Sequence, residues 1–151
     1  MKTLVAYYSK SGTTEACAKK IAEILGADTF AIRTAKEYPK SYLKTLKVSR
    51  AEFKNDERPE IIGKVENMDE YDKILVGFPV WFGTCPMAVA TFLEQYDWAG
   101  KEIYPFCTST STGIKKGEAD VARFSGQRVH TGLRMKNVKE LDRDEILSWV
   151  L

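Results

Sequence analysis

The sequence predicts an α/β protein with a doubly wound, five-stranded parallel sheet in the order 2-1-3-4-5. Apolar runs typical of buried parallel strands alternate along the chain with amphipathic helical patterns, and polar loops follow the strongest runs. Such alternation implies right-handed crossovers and helices on both faces of the sheet. The length of 151 residues fits one domain, residues 1–151.

The first strand, loop and helix open the chain. Thr3–Tyr8 indicates a buried strand, and the loop Ser9–Thr14 carries four hydroxyl side chains and one glycine. The following helical pattern places this loop at a helix N-terminus, where unpaired N–H groups and the helix dipole attract an anion, above all phosphate. A helix start capped by its own serine and threonine side chains, without any ligand, is an equally open alternative.

A second strand and a separate helix follow. Asp28–Ile32 indicates a short strand, and residues 40–55 indicate an amphipathic helix. Tyr42, Leu46 and Phe53 lie near one stripe of this helix. We therefore expect the helix to pack by that face and to expose its lysines on the other.

The third strand is the second strong apolar run, Tyr71–Phe78, and it ends in the turn-rich loop Pro79–Pro86. Pro86 suits the first turn of a helix. That helix is expected to carry Tyr96 and to end at Gly100.

Glu102–Cys107 indicates the fourth strand, although Pro105 removes a backbone donor, so we expect a local irregularity there. The small polar loop Thr108–Gly113 follows. The remaining elements are a short helix at residues 117–124, a weak strand at 127–133 and a last helix that begins at about Asp142.

The predicted topology brings three loops together. In a sheet of this order, ligands bind beyond the carboxyl ends of the strands, at the switch point between strands 1 and 3. Loops 9–14 and 79–86 belong there, with 107–113 beside them. Trp81 and Phe82 offer a stacking wall for a planar ring, and a hydrophobic lid that buries only itself is the alternative. Combined with a phosphate loop, they predict a flat heterocycle attached to a phosphate.

Composition excludes several functions. The formal charge is only +2 and acidic and basic residues are interspersed, so we expect no nucleic-acid partner. No stretch approaches the roughly 18 apolar residues of a membrane span, so we expect no membrane partner and a cytoplasmic protein. The three cysteines suit reduced thiols.

Other catalytic motifs are missing or incomplete. Neither GxxxxGK[ST] nor GxGxxG occurs. A phosphatase signature at Cys107 would need an arginine where Gly113 stands. His130 is the only histidine, and we expect it to be a surface residue.

The three loops resemble those of flavodoxins. Ser9–Thr14 is similar to the phosphate loop of that family, Gly77–Pro86 to the loop that flanks the flavin, and Pro105–Ser109 to its third loop. The likeness spans nearly the whole chain and implies a flavodoxin-like fold and FMN held without a covalent link. The residues it places around FMN are Ser9, Lys10, Ser11, Gly12, Thr13 and Thr14 at the phosphate, Pro79, Val80, Trp81, Phe82, Gly83 and Thr84 beside the ring, and Cys107, Thr108 and Ser109 at its pyrimidine side.

The sequence also departs from the best-known electron carriers of that family. Thr108–Thr112 stands where they often carry a tyrosine on the outer flavin face, and the chain lacks their strongly acidic character. The first hypothesis is an electron-transfer protein that serves a reductase and an acceptor protein. The alternatives are an FMN-dependent NAD(P)H reductase of quinones or other small acceptors, and a scaffold of the same shape without cofactor.

Overall fold

A computed structural model describes residues 2–151 and contains one five-stranded parallel sheet in the order β2-β1-β3-β4-β5. The predicted fold class and strand order are confirmed. The strands are β1 (Lys2–Tyr8), β2 (Asp28–Ile32), β3 (Tyr71–Pro79), β4 (Glu102–Thr108) and β5 (Leu133–Met135). The α-helices are α1 (Thr13–Leu25), α2 (Tyr42–Lys54), α3 (Met87–Glu94), α4 (Lys115–Ser125) and α5 (Arg143–Trp149), and short 3-10 helices span Met68–Glu70 and Val138–Glu140.

Both faces of the sheet are buried. Successive residues of its central strands point to opposite sides, and helices cover each side. On β1, Leu4 belongs to the apolar core shared with α3 and α4, whereas Val5 belongs to the core shared with α1 and α5. Phe92 of α3 and Ile21 of α1 are fully buried in these two cores. This double burial explains why the strands appear in the sequence as continuous apolar runs.

Helix α3 is shorter than expected. It ends at Glu94, so the predictions that it carries Tyr96 and ends at Gly100 are wrong. The indole N–H of Trp98 donates to the carbonyl of Leu93 at 2.6 Å, and this buried contact requires the chain to turn back. Gly100 has a φ of 79° and serves the turn before β4.

The last strand lies later than expected, at Leu133–Met135 instead of residues 127–133. Only these three residues pair with β4, opposite Phe106–Thr108. Gly132 precedes them, and a Cβ atom there would lie 2.6 Å from the carbonyl oxygen of Pro105. The close backbone approach at Gly132 therefore marks the start of the ladder, a constraint that no periodicity in the sequence reveals.

The irregularity expected at Pro105 is absent. The register between β3 and β4 is unbroken, and Pro105 lies opposite Val76. Because β5 begins its pairing only at Phe106, Pro105 has one strand neighbour and its missing N–H can fall on the unpaired side.

The start of the last helix is confirmed. Asp142 is the N-cap of α5, and its carboxylate accepts a hydrogen bond from the backbone N–H of Glu145 at 3.1 Å. No helix within residues 2–151 has the length and apolarity needed to cross a membrane. Over the same range, no group of three or more His, Cys, Asp or Glu side chains is arranged to hold a metal ion.

The three buried cysteines make the free energy of unfolding depend on pH in the alkaline range. Cys17, Cys85 and Cys107 are buried and unpaired. Burial raises the pKa of the Cys17 thiol to about 11 and those of Cys85 and Cys107 to about 12, from an ordinary value of 9.0. The unfolded chain therefore loses these thiol protons at lower pH than the folded protein does, and the thiols stabilise the fold fully only below about pH 8.5.

We expect the free energy of unfolding to fall as pH rises from about 9 towards 12. Urea unfolding at pH 8 and at pH 10.5 measures this loss, and a variant with alanine at all three cysteines is the control. An equal loss in that variant would contradict the assignment to the thiols.

Candidate functional site

A cleft of about 360 Å³ lies at the carboxyl ends of β1, β3 and β4, where the topology predicts a ligand. Side chains from all three predicted loops meet there, together with one face of α2. The cleft is lined by Lys10, Ser11, Thr13, Thr14, Tyr42, Thr45, Leu46, Ser49, Pro79, Val80, Trp81, Phe82 and Thr108.

The loop between β1 and α1 presents free donors to this cleft. Gly12 occupies the N-cap of α1 with a φ of 99°, and no side chain caps the helix. The first N–H groups of α1 therefore have no partner within the helix. Ser11 and Thr13 are exposed, line the cleft and make no side-chain hydrogen bond to any described residue. Ser9 instead accepts a hydrogen bond from the N–H of Gly12 at 3.1 Å, which shapes the loop.

A buried pair of hydroxyls joins the first loop to the end of β4. The Oγ1 atoms of Thr14 and Thr108 are 2.7 Å apart, and both residues are almost completely buried. The backbone N–H of Val80 also donates to the carbonyl of Thr108 at 3.1 Å. Thr108 thus connects all three loops. The sequence predicts each threonine at the site but gives no sign of their hydrogen bond.

The aromatic loop is a tight turn with an uncommon backbone. Trp81 and Thr84 exchange two backbone hydrogen bonds, of 2.8 and 3.0 Å, across Phe82 and Gly83. Both central residues have positive φ, 54° and 83°, as in a type I′ turn. A left-handed conformation is unfavourable for phenylalanine, so other contacts must hold it. The Phe82 ring stacks on that of Phe53 from α2, with centroids 5.5 Å apart.

The Trp81 ring is held from the side by two tyrosines. Tyr8 and Tyr38 each make an edge contact with it, at centroid distances of 5.5 and 5.6 Å. The phenolic O–H of Tyr38 donates to the carboxylate of Glu52 at 2.5 Å. The indole therefore borders the cleft in a fixed orientation, as a stacking wall requires.

Helix α4 also holds this turn. Thr84 is fully buried, and its hydroxyl donates to the carboxylate of Asp120 at 2.5 Å. That carboxylate also contacts Lys116 at 3.4 Å and Arg123 at 3.5 Å. Asp120 is therefore the acceptor of the buried Thr84 hydroxyl and fixes the end of the turn.

We expect Asp120→Ala to lower the free energy of unfolding by roughly 1–3 kcal/mol, because it removes the carboxylate that accepts from the buried Thr84 hydroxyl. Urea unfolding measures the loss. Asp120→Asn keeps an acceptor oxygen and should lose clearly less stability. Thr84→Val removes the hydroxyl that needs an acceptor, so adding it to Asp120→Ala should restore part of the lost stability. Equal losses in the alanine and asparagine variants would argue against the hydrogen bond.

The contribution of α2 differs from the sequence prediction. Tyr42 is 77% exposed and Leu46 38% exposed, so the prediction that their stripe packs is wrong for these two residues. They border the cleft together with Thr45 and Ser49. The stripe was visible in the sequence, but helical spacing cannot tell a face against the core from a face beside a cleft.

Six residues predicted around the ligand do not line the cleft, and their predicted roles stay predictions. Cys107 is completely buried in the core beside α3 and α4. Ser109 donates its hydroxyl hydrogen to the carbonyl of Thr112 at 2.5 Å. The six are Ser9, Gly12, Gly83, Thr84, Cys107 and Ser109. His130, expected at the surface, is exposed and stacks on Tyr104 with ring centroids 4.1 Å apart.

The cleft fits a phosphate joined to a flat ring. Its volume is within the range of small-molecule sites, and an uncapped helix N-terminus with free hydroxyls forms one end. Trp81 and Phe82 form an apolar wall beside it. Ser11, Thr13 and the first N–H groups of α1 can hold the phosphate, and the aromatic turn can contact the ring.

Comparisons with known proteins agree with this fold. The family model described as Flavodoxin matches residues 2–151. The solved flavoprotein in complex with FMN from Lactobacillus acidophilus NCFM is 28% identical, with 99% of both chains covered and a TM-score of 0.83. A structure described as a flavoprotein from Bacteroides uniformis ATCC 8492 is 32% identical, with 99% of this chain and 97% of that chain covered and a TM-score of 0.86.

Curated relatives carry the name NAD(P)H dehydrogenase (quinone). One from Caulobacter vibrioides is 34% identical over 135 residues, and one from Acidovorax ebreus is 32% identical over 134 residues. Each alignment covers 82% of this chain. The chain spans 63% and 62% of the lengths of these two relatives.

Proposed function

Because this chain belongs to the flavodoxin family, we propose that it holds FMN without a covalent link and passes electrons through it from a donor to an acceptor. The observation that carries the proposal is the meeting of the uncapped N-terminus of α1 and the aromatic turn at Trp81 in one cleft. Family membership and the FMN complex of the Lactobacillus protein support FMN as the cofactor.

The protein supplies binding and orientation, and bound FMN supplies the capacity to accept and donate electrons. The hydroxyls of Ser11 and Thr13 are free to donate to phosphate oxygens, and the dipole of α1 favours the negative charge. Trp81, fixed by its two tyrosines, offers an apolar wall. The turn at Phe82 and Gly83 is held by Phe53 of α2 and Asp120 of α4, so its backbone groups keep a defined orientation.

The cofactor assignment is tested on the purified protein. We expect a yellow protein that releases FMN on denaturation, and an apoprotein that regains the spectrum when FMN is added. Riboflavin, which lacks the phosphate, should bind much more weakly. A colourless protein that fails to bind added FMN would support the scaffold alternative and overturn the proposal.

A second candidate, the direct reduction of a quinone by NAD(P)H, is favoured by the names of the curated relatives. The open cleft also supports it, because Tyr42 and Leu46 border the cleft without closing it. Three buried, unpaired thiols support the proposal that the protein works in a reducing compartment such as the cytoplasm.

Steady-state kinetics separate the two candidates. A reductase of small acceptors should consume NADH or NADPH with a soluble quinone and no other protein. A carrier should be inactive in that assay and should pass electrons only when a separate reductase and an acceptor protein are supplied.

A further inference from the structure

A second groove adjoins the cleft at the carboxyl ends of β1 and β2. Its volume is about 550 Å³. Lys10 lines both the groove and the cleft, so the two are contiguous. The lining of the groove includes Tyr8, Arg33, Glu37, Tyr38 and Lys40.

The groove carries an excess of positive charge. Lys10, Arg33 and Lys40 line it, against the single carboxylate of Glu37. These four groups belong to none of the ion pairs found among residues 2–151. Elsewhere in that range, six lysine and arginine side chains pair with a carboxylate, as Arg58 does with Glu94 at 2.7 Å. The cations of the groove are therefore available to a ligand.

The sheet itself brings two of these cations together. Tyr8 pairs with Ile32 across β1 and β2, so Lys10, two residues after Tyr8, and Arg33, one residue after Ile32, lie beyond two adjacent strand ends. The Ser9 hydroxyl, which accepts from Gly12 and keeps its hydrogen free, and aromatic rings of Tyr8 and Tyr38 complete the lining. Those two rings also contact Trp81, which borders the cleft. Cations and a free hydroxyl donor for phosphate, with apolar and aromatic surface, are groups that hold a nucleotide.

We propose that this groove binds the phosphate groups of a nicotinamide dinucleotide whose nicotinamide end reaches the neighbouring cleft. The inference rests on the second candidate function, and it names the part of the chain that would hold the donor. The phosphate in contact with Arg33 and Lys40 is either the pyrophosphate, common to both dinucleotides, or the 2′-phosphate of NADPH.

The test measures nucleotide binding without turnover. Calorimetric titration of the FMN-loaded protein with ADP, 2′,5′-ADP and adenosine should show binding of 2′,5′-ADP in either case, binding of ADP if the pyrophosphate contacts the cations, and much weaker binding of adenosine. In the Arg33→Gln/Lys40→Gln double variant, we expect the affinity for 2′,5′-ADP to fall tenfold or more. Lys139→Gln/Arg143→Gln, which removes two exposed cations outside the groove, is the matched control and should bind as the unaltered protein does.

Two comparisons identify the phosphate. If the 2′-phosphate contacts the two cations, the double variant should raise the KM for NADPH and leave that for NADH unchanged. If the pyrophosphate does, both KM values should rise. The FMN dissociation constant should stay the same in either case, and a weakened FMN complex would overturn the proposal because the groove would then serve the cofactor.

Failure of the groove and failure of the reductase function give different results. If 2′,5′-ADP does not bind, or binds equally to the double variant and the control, the groove proposal is overturned even if the protein reduces quinones with NAD(P)H. Phosphate binding that depends on Arg33 and Lys40 supports the groove, even if no quinone is reduced and the reductase function fails.

Discussion

Replacing Ser11 and Thr13 together by alanine is expected to weaken FMN binding about 30-fold or more. Both hydroxyls line the cleft and are free of partners within the described residues, so each can donate to a phosphate oxygen. A hydrogen bond to a charged group contributes roughly 1–3 kcal/mol, and about 1.4 kcal/mol corresponds to a tenfold change in affinity. Fluorescence titration of the apoprotein with FMN measures the effect.

Thr13 is a more specific probe of the phosphate contact than Thr14. Thr14 is 1% exposed and its hydroxyl already bonds to that of Thr108, so alanine there would also unlink two loops. Thr131→Ala/Ser148→Ala removes two exposed hydroxyls outside the cleft and is the control. Riboflavin affinity provides a second check, since it should be nearly unchanged in Ser11→Ala/Thr13→Ala. An equal loss for FMN and riboflavin would argue against phosphate contacts.

Gly77→Ala is expected to lower the free energy of unfolding by about 3 kcal/mol or more. Gly77 lies in β3 opposite Phe106 of β4, and an added Cβ would lie 2.1–2.7 Å from three ring carbons of that phenylalanine. Phe106 is fully buried, so its ring cannot move aside without disturbing the core. Overpacking of a well-packed core typically costs roughly 1–3 kcal/mol, and a contact this short is at the upper end. Urea unfolding of the variant measures the loss.

Two further variants sharpen this prediction. Gly113→Ala adds the same methyl group at an exposed position with no heavy atom within 4 Å, and should be nearly neutral. The substitution Gly77→Ala should also cost less in a Phe106→Ala background than in the unaltered protein, because the clash is then removed. Equal costs in the two backgrounds would show that the loss arises elsewhere.

The sequence by itself was sufficient for the sheet order and the central loops. Strands buried on both faces produce apolar runs that need no partner to be recognised, and strands alternating with helices leave few topologies. The register of β5 could not be predicted from the sequence, because that strand has only three paired residues and begins where Gly132 approaches Pro105. The end of α3 was likewise decided by the buried hydrogen bond of Trp98.

At the site, residue types and loop order determined which loops converge and the chemistry they offer: hydroxyls at a helix N-terminus and aromatic rings beside them. Only the tertiary structure decided how these groups are held. The Thr14–Thr108 pair and the contact of Asp120 with Thr84 join residues distant in sequence, and the cleft places residues of α2 beside loops that are distant in sequence. Local patterns report which face of a strand or helix is apolar, but the partner of that face is set by the packing of the whole chain.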